Sequence, residues 1–266
     1  MIIDFHIHAF HPKVAEKAVG QLAKIAQIEP YTHGLIEQTI ERFDEWGVDK
    51  GVLLPVATKP TQHEVLNNWS AEMNKDRIIA FGGVHPDGGD EAISELQRIK
   101  DLGLHGVKLH PDYQKFMVDE ERLEPIYDEI QRLDLPVVFH AGFDCISPDL
   151  IHCPPERSRK VWEKHRNMKI VLAHLGGNEQ WQEVYDTLAG LDGELYFDTS
   201  FSLGCDSSLM EKIIRKHGAD RILFASDCPW QSGKEIKEKI LTLGISDDDK
   251  EKILGKNAQR LLKLKD

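Results

Sequence analysis

Eight short apolar runs, spread along the chain, limit what it can fold into. They are Ile2 to His8, Gly51 to Val56, Ile78 to Val84, Gly106 to His110, Pro136 to His140, Lys169 to His174, Leu195 to Thr199 and Ile222 to Asp227. Their starts lie roughly 25 to 35 residues apart, except for a longer first interval. Each is rich in Val, Ile, Leu or Phe, as strands buried on both faces are. Amphipathic helical patterns fill most gaps. Leu35 to Trp46 carries Ile36, Ile40 and Phe43, and Glu91 to Leu102 carries Ile93, Leu96 and Ile99. Leu123 to Leu133 and Leu209 to His217 repeat the pattern with Ile126 and Ile130, and with Ile213 and Ile214. Gly47, Gly103 and Gly218 follow three of these helices, where a left-handed residue ends a helix. Strands joined through helices are parallel with right-handed crossovers, and eight such units close into a (β/α)8 TIM barrel. The chain, 266 residues long, suits one barrel, so residues 1–266 are expected to form a single α/β domain.

Two further segments complete the layout. Val14 to Ile28 is expected to be a short helix in a long first loop, and Phe143 to Arg159 a lid. Ile245 to Leu264 reads as a last helical region, with Ser246 and Asp249 as a capping box and Leu254, Leu261 and Leu262 against the barrel wall. The net charge of −12 argues against a phosphate-backbone binder. No apolar run has membrane-spanning length, and no basic region followed by an apolar run opens the chain. Four cysteines without CxxC spacing point to reduced thiols and a cytoplasmic setting. The expected partner is a small-molecule substrate, with no nucleic acid and no membrane; a homo-oligomer is compatible with the chain.

The polar residues give the barrel its chemistry. Active-site groups in such barrels come from the C-terminal ends of the strands. Six of the thirteen histidines fall there: His6, His8, His85, His110, His140 and His174. The eighth run ends in Asp227. Alternation along the first strand puts Asp4, His6 and His8 on one face, with His6 and His8 about 6.6 Å apart at Cα. His6, His8, His140 and Asp227 are therefore candidate metal ligands, since His and Asp serve zinc, manganese, iron or cobalt. One divalent ion is expected, zinc first and manganese as the alternative. Asp227 is also a candidate base, and His174 a catalytic group that polarises a carbonyl or moves a proton. Taken singly, His140 and His174 also suit buried core histidines, and Asp227 suits a helix cap.

Lys108 and His110 share a face of the fourth strand and are read as substrate-binding. Lys108 also has the alternatives of a carboxylated bridge between two metals or a partner for an acid such as Asp4. Arg159 is a second candidate for a substrate carboxylate. Trp230, Phe143 and Tyr113 fall just past strand ends, where they would line a pocket. His85 is expected behind the ligands, and Asp198 in a structural role.

The ordered motifs DFHIH, GVKLHP, VVFHAG, VLAHLGG and FASDCPW, with the closing KILGKNAQRLLKL, resemble the amidohydrolase superfamily, and within it the amidohydrolase-related branch. The resemblance covers essentially the whole chain. It implies a metal-dependent (β/α)8 barrel in which His6, His8, His140 and Asp227 bind metal and His174 is catalytic. That branch holds hydrolases of amide or ester-like bonds, lactones included. It also holds decarboxylases similar to aminocarboxymuconate-semialdehyde decarboxylase and resorcylate decarboxylase. The first expectation is a metal-dependent hydrolase of a small polar substrate, an amide, lactone or ester, using metal-activated water. The alternative is a metal-dependent nonoxidative decarboxylase of an aromatic or enol-type acid.

Overall fold

The computed structural model describes residues 1–264. All eight strand positions appear, and every ladder between them is parallel. The segments are β1 (Ile3–Ile7), β2 (Lys50–Leu53), β3 (Ile78–Ala80), β4 (Gly82–Gly83), β5 (Val107–Leu109), β6 (Val137–Phe139), β7 (Ile170–Leu172), β8 (Leu195–Asp198) and β9 (Ile222–Leu223). β3 and β4 are two halves of the expected third strand, parted at Phe81. Ahead of the break the strand pairs with β2, and after it with β5. The ring closes between the ends: the Phe5 N–H donates to the Phe224 carbonyl at 2.8 Å, and Ile7 bridges to Cys228. The fold is a TIM barrel.

Two layers of apolar side chains explain the alternation along most strands. One position of each pair packs outward against the helices, as Val107, Leu109, Val137 and Phe139 do. The other packs inward, as Val52, Ile79, Val138 and Val171 do. On β5 the position in register with Val138 is Lys108, which places a buried amine inside the ring. β1 departs from simple alternation. Its register with β2 is irregular between Asp4 and Ile7, and Ile3 and Phe5 belong to the inner cluster. Asp4 therefore does not share a face with His6 and His8. Its carboxylate accepts from the Ser226 hydroxyl and from the Ser226 N–H at 2.8 Å instead.

The predicted helices appear at Ala15–Ala26, Ile36–Trp46, Asp90–Asp101, Glu124–Arg132 and Ser207–His217. Five more among the described residues were not predicted: His63–Met73, Pro155–Lys164, Trp181–Thr187, Gly233–Thr242 and the four-residue Pro111–Gln114. The second of these shortens the expected lid, since the chain becomes helical at Pro155. The tail is helical over Asp247–Glu251 and Asn257–Leu262, joined by a wider π-helical turn. Ser246 caps it by accepting the Asp249 N–H at 3.1 Å. Leu254 packs against the outer cluster of the wall as expected, whereas Leu261 and Leu262 join the inner cluster with Ile3 and Phe5 and so seal the floor of the barrel. Among the described residues no helix is long and apolar enough to cross a membrane.

Candidate functional site

The site is built where the barrel closes. The Asp227 N–H donates to the His6 carbonyl at 2.9 Å, and the His8 N–H donates to the Cys228 carbonyl at 2.7 Å. This pairing puts the first and last strands side by side at their C-terminal ends. Asp227 Oδ1 lies 3.3 Å from His6 Nε2 and 3.1 Å from His8 Nε2, and the two Nε2 atoms are 3.1 Å apart.

Outer partners set the tautomers. His6 Nδ1 donates to Asp198 Oδ2 at 2.9 Å, and His8 Nδ1 donates to the Leu54 carbonyl at 2.9 Å. A carboxylate and a carbonyl only accept, so each ring carries its proton on Nδ1 and leaves Nε2 bare. Asp227 Oδ1 is buried without a hydrogen-bond partner. Three lone-pair atoms thus face one another, an arrangement a cation relieves. A tetrahedral ion with bonds of about 2.0 Å spaces its ligands by about 3.3 Å, which matches these separations. His6, His8 and Asp227 therefore fit a divalent ion.

His140 and His174 form the next layer. His140 Nδ1 and His174 Nε2 are 2.9 Å apart, and the His174 ring stacks on His6 with centroids 5.5 Å apart. His174 Nδ1 donates to Ser200, whose Oγ is 2.9 Å away. His140 lies outside the tight cluster of His6, His8 and Asp227, and groups with His110 and Asp144 instead. Lys108, wholly buried, brings Nζ within 3.4 Å of His6 Nε2. It does not pair with Asp4, which Ser226 occupies.

The electrostatics suit neutral imidazoles beside an ionised acid. Burial, reinforced by Lys108, holds His6 well below the usual imidazole range. Burial and the neighbouring His110 do the same for His140, and burial lowers His174. Burial pushes the Asp227 carboxyl up, but His6 and His8 more than offset it and leave it below the ordinary carboxylate value. Burial brings the Lys108 amine down to about 8 against the pull of Asp198 and Asp227.

The remaining predicted residues divide. His110 stacks between Tyr113, at 3.8 Å, and His140, at 4.3 Å, with Nε2 3.5 Å from Asp144 Oδ2. Trp230 is half-buried on the turn after Asp227, where its N–H donates to the Asp227 carbonyl at 2.8 Å. Arg159 is not part of the site: it sits on the outer face of helix Pro155–Lys164 and pairs with Glu163. His85 is held by His63, whose Nε2 accepts its N–H at 2.7 Å, and joins none of the site residues. Asp198 does more than brace the barrel, because it orients His6 and also accepts the His174 N–H. Its place at the inward end of β8, two residues after Tyr196, is a signal that finds it. Ser200, Asp112, Asp144 and His152 went unpredicted; Asp144 and His152 lie on a loop and Asp112 in the short helix Pro111–Gln114, where no periodicity points to them.

The sequence model of the amidohydrolase family matches residues 3–264. The gamma-resorcylate decarboxylase of a Rhizobium species is 23% identical over 232 residues, 71% of each chain. The 2-amino-3-carboxymuconate-6-semialdehyde decarboxylase of Dictyostelium discoideum is 24% identical over 240 residues, 76% of this chain and 66% of that one. Among solved structures, a 2,6-dihydroxybenzoate decarboxylase complexed with 2,6-dihydroxybenzoate superposes with a TM-score of 0.73 at 19% identity, covering 99% of both chains. A dihydroxybenzoic acid decarboxylase from a Polaromonas species, with bound manganese and the inhibitor 2-nitroresorcinol, gives 0.71 at 18% identity, covering 99% of this chain and 97% of that one.

Proposed function

Because this chain belongs to the amidohydrolase family, we propose that it is a metal-dependent nonoxidative decarboxylase of an aromatic or enol-type carboxylic acid. The observation that carries this reading is the coincidence of the His6, His8 and Asp227 donor set with sequence relatives that are themselves decarboxylases. The hydrolase expected first from the sequence gives way to its alternative, since neither of these relatives is a hydrolase.

His6, His8, His140 and Asp227 would hold one divalent ion, with manganese tried first because a structural relative binds it, and zinc beside it. Bound there, the ion supplies positive charge to the substrate's carboxylate and neighbouring oxygen. The chain's own residues account for the rest. Lys108 adds a buried cation that favours an anionic substrate. Tyr113, half-buried at the end of the His140–His110–Tyr113 stack, would offer its outer face to a planar ring, with His110 behind it. In the reaction the bond from carbon to carboxylate breaks, carbon dioxide leaves, and the electron pair left on carbon takes a proton. Asp227, ionised at rest, would take a proton from the substrate's hydroxyl or from water and pass it to that carbon. His174, anchored through Nδ1 on Ser200 with Nε2 facing His140 Nδ1 at 2.9 Å, would pass one on in the same way once protonated there. We take the compartment to be cytoplasmic, in keeping with four free cysteines.

The test uses manganese-loaded protein and 2,6-dihydroxybenzoate with related hydroxybenzoates and enol acids. The expected result is carbon dioxide release with solvent deuterium at the vacated carbon when the reaction runs in heavy water. Asp227→Asn should lower turnover by about 10²- to 10⁴-fold in a folded protein. Oxygen from labelled water appearing in the product of an amide or lactone, with no acid decarboxylated, would return the assignment to hydrolysis.

A further inference from the structure

We infer that Asp112 is the carboxylate that turns the His140 Nδ1 lone pair toward the ion, a positioning role that no sequence motif announces. The inference rests on the reading above, in which His6, His8, His140 and Asp227 hold the metal. Asp112 belongs to the short helix Pro111–Gln114 that His110 begins, and its side chain is buried. One oxygen, Oδ1, accepts from the Ser147 hydroxyl and from His152 Nδ1 at 2.9 Å. The other, Oδ2, is buried with no partner. Facing it at 3.7 Å is His140 Nε2, also buried with no partner.

One proton explains both orphans. A neutral His140 carries a single ring proton. With that proton on Nδ1, aimed at His174 Nε2, the ring would oppose a bare Nε2 to the bare Asp112 oxygen. With the proton on Nε2, a closure of under about 1 Å makes an ordinary hydrogen bond and satisfies both atoms. Nδ1 is then bare and faces His174 Nε2 at 2.9 Å, itself bare while His174 Nδ1 donates to Ser200. Two lone pairs oppose each other there as they do at His6 and His8, an arrangement that a cation relieves. His6 and His8 follow the same rule: each gives its outer proton to a fixed acceptor, Asp198 or Leu54, and leaves its inner nitrogen free. Metal-binding imidazoles are oriented in this way by carboxylates and carbonyls behind them.

Asp144 does not take this role. Its Oδ2 is 3.5 Å from both His140 Nε2 and His110 Nε2. His110 Nδ1 accepts the Tyr113 N–H at 3.4 Å, so the His110 proton is on Nε2 and goes to Asp144. A second ion held by His110, His140 and Asp144 is also disfavoured. The two rings stack with planes 10° apart, so their in-plane lone pairs run side by side and do not converge.

The experiment loads the full-length chain with Zn²⁺ and reads two quantities. Nitrogen NMR of the labelled histidines should show His140 ligated through Nδ1 and protonated on Nε2. Competition with a chelator should show Asp112→Asn binding Zn²⁺ about 10- to 100-fold more weakly than wild type, at one equivalent per chain, with partial recovery in Asp112→Glu. Ligation through His140 Nε2, unchanged affinity in Asp112→Asn, or a second equivalent that Asp144→Asn removes would each overturn the inference. Should Asp112→Asn fail to fold, the wild-type NMR measurement decides alone. A His6→Ala/His8→Ala double variant separates the two levels. If it keeps its Zn²⁺, the metal assignment itself is wrong and the role of Asp112 falls with it. If Zn²⁺ is lost there while Asp112→Asn is unaffected, only the role of Asp112 falls.

Discussion

Asp198 accepts the Nδ1 proton of His6 at 2.9 Å, and both side chains are buried. The other Asp198 oxygen accepts the His174 N–H at 3.1 Å and the Ser200 hydroxyl. One carboxylate therefore sets the tautomer of a metal-ligand candidate and the backbone of the catalytic candidate beside it. Asp198→Asn keeps the shape and removes the charge. We expect metal affinity to fall by about 10- to 100-fold, as it does when such outer carboxylates are lost, with the fold retained. Metal content after dialysis, alongside thermal unfolding, checks this; full metal retention would show that His6 is oriented by packing alone.

Lys108 gives a prediction of the opposite sign. Its amine lies 3.4 Å from His6 Nε2, inside the ring, where a divalent ion would meet a like charge. Two unit charges about 4 Å apart interact by roughly 4 kcal/mol at an effective dielectric constant of 20. Lys108→Met should therefore bind metal at least about tenfold more tightly, while KM for an acid substrate rises by about tenfold or more through loss of a charge-assisted contact. Chelator competition and steady-state kinetics read the two effects separately. About two metal equivalents in wild type, one of them lost in the variant, would mark Lys108 as a carboxylated bridge.

Much of this was legible in the sequence because it depends on repetition. The eight apolar runs place the strands, and histidines at their ends place the site. Departures have local causes that periodicity does not carry. The register slip in β1 separates Asp4 from His6 and His8, because alternation holds only while the pleat is uniform. Helix His63–Met73 escaped notice because its buried face is largely polar, with His63, Asn67 and Ser70 beside Trp69. Asn67 spends its amide on Gly83 and Glu95, a structural use that a hydrophobic pattern cannot register. The outer carboxylate Asp112 is likewise recognisable only once β5 and β6 lie side by side.

Gly142 tests the loop that carries Asp144. It follows His140 by two residues, has φ +85°, and pairs with Asn178. A Cβ there would lie 2.1 Å from the Asn178 nitrogen and 2.4 Å from its oxygen, both backbone atoms that cannot swing away. Gly142→Ala combines a left-handed backbone with this overlap, and we expect a loss of about 3 kcal/mol or more. Urea unfolding measures it. A loss below about 1 kcal/mol would mean that the segment after β6 shifts without cost.

His217 supplies a pH dependence remote from the site. Its ring stacks on Phe197 with centroids 4.0 Å apart, its Nε2 donates to the Leu195 carbonyl at 3.0 Å, and its Nδ1 has no partner. Burial pushes its pKa from 6.5 down to about 3, with Arg221 adding to the shift. The folded chain thus keeps this ring neutral while the unfolded chain protonates it near 6.5. Its contribution is complete above pH 6.5 and is lost as pH falls from there toward 3, at up to about 1.4 kcal/mol per unit. Glutamine preserves the donor to Leu195 and cannot take the proton. His217→Gln should therefore be slightly less stable than wild type at pH 7, yet lose about 2 kcal/mol less between pH 7 and pH 5. Urea unfolding at the two pH values gives the comparison, and equal losses would show that His217 titrates in the folded chain as it does in the unfolded one.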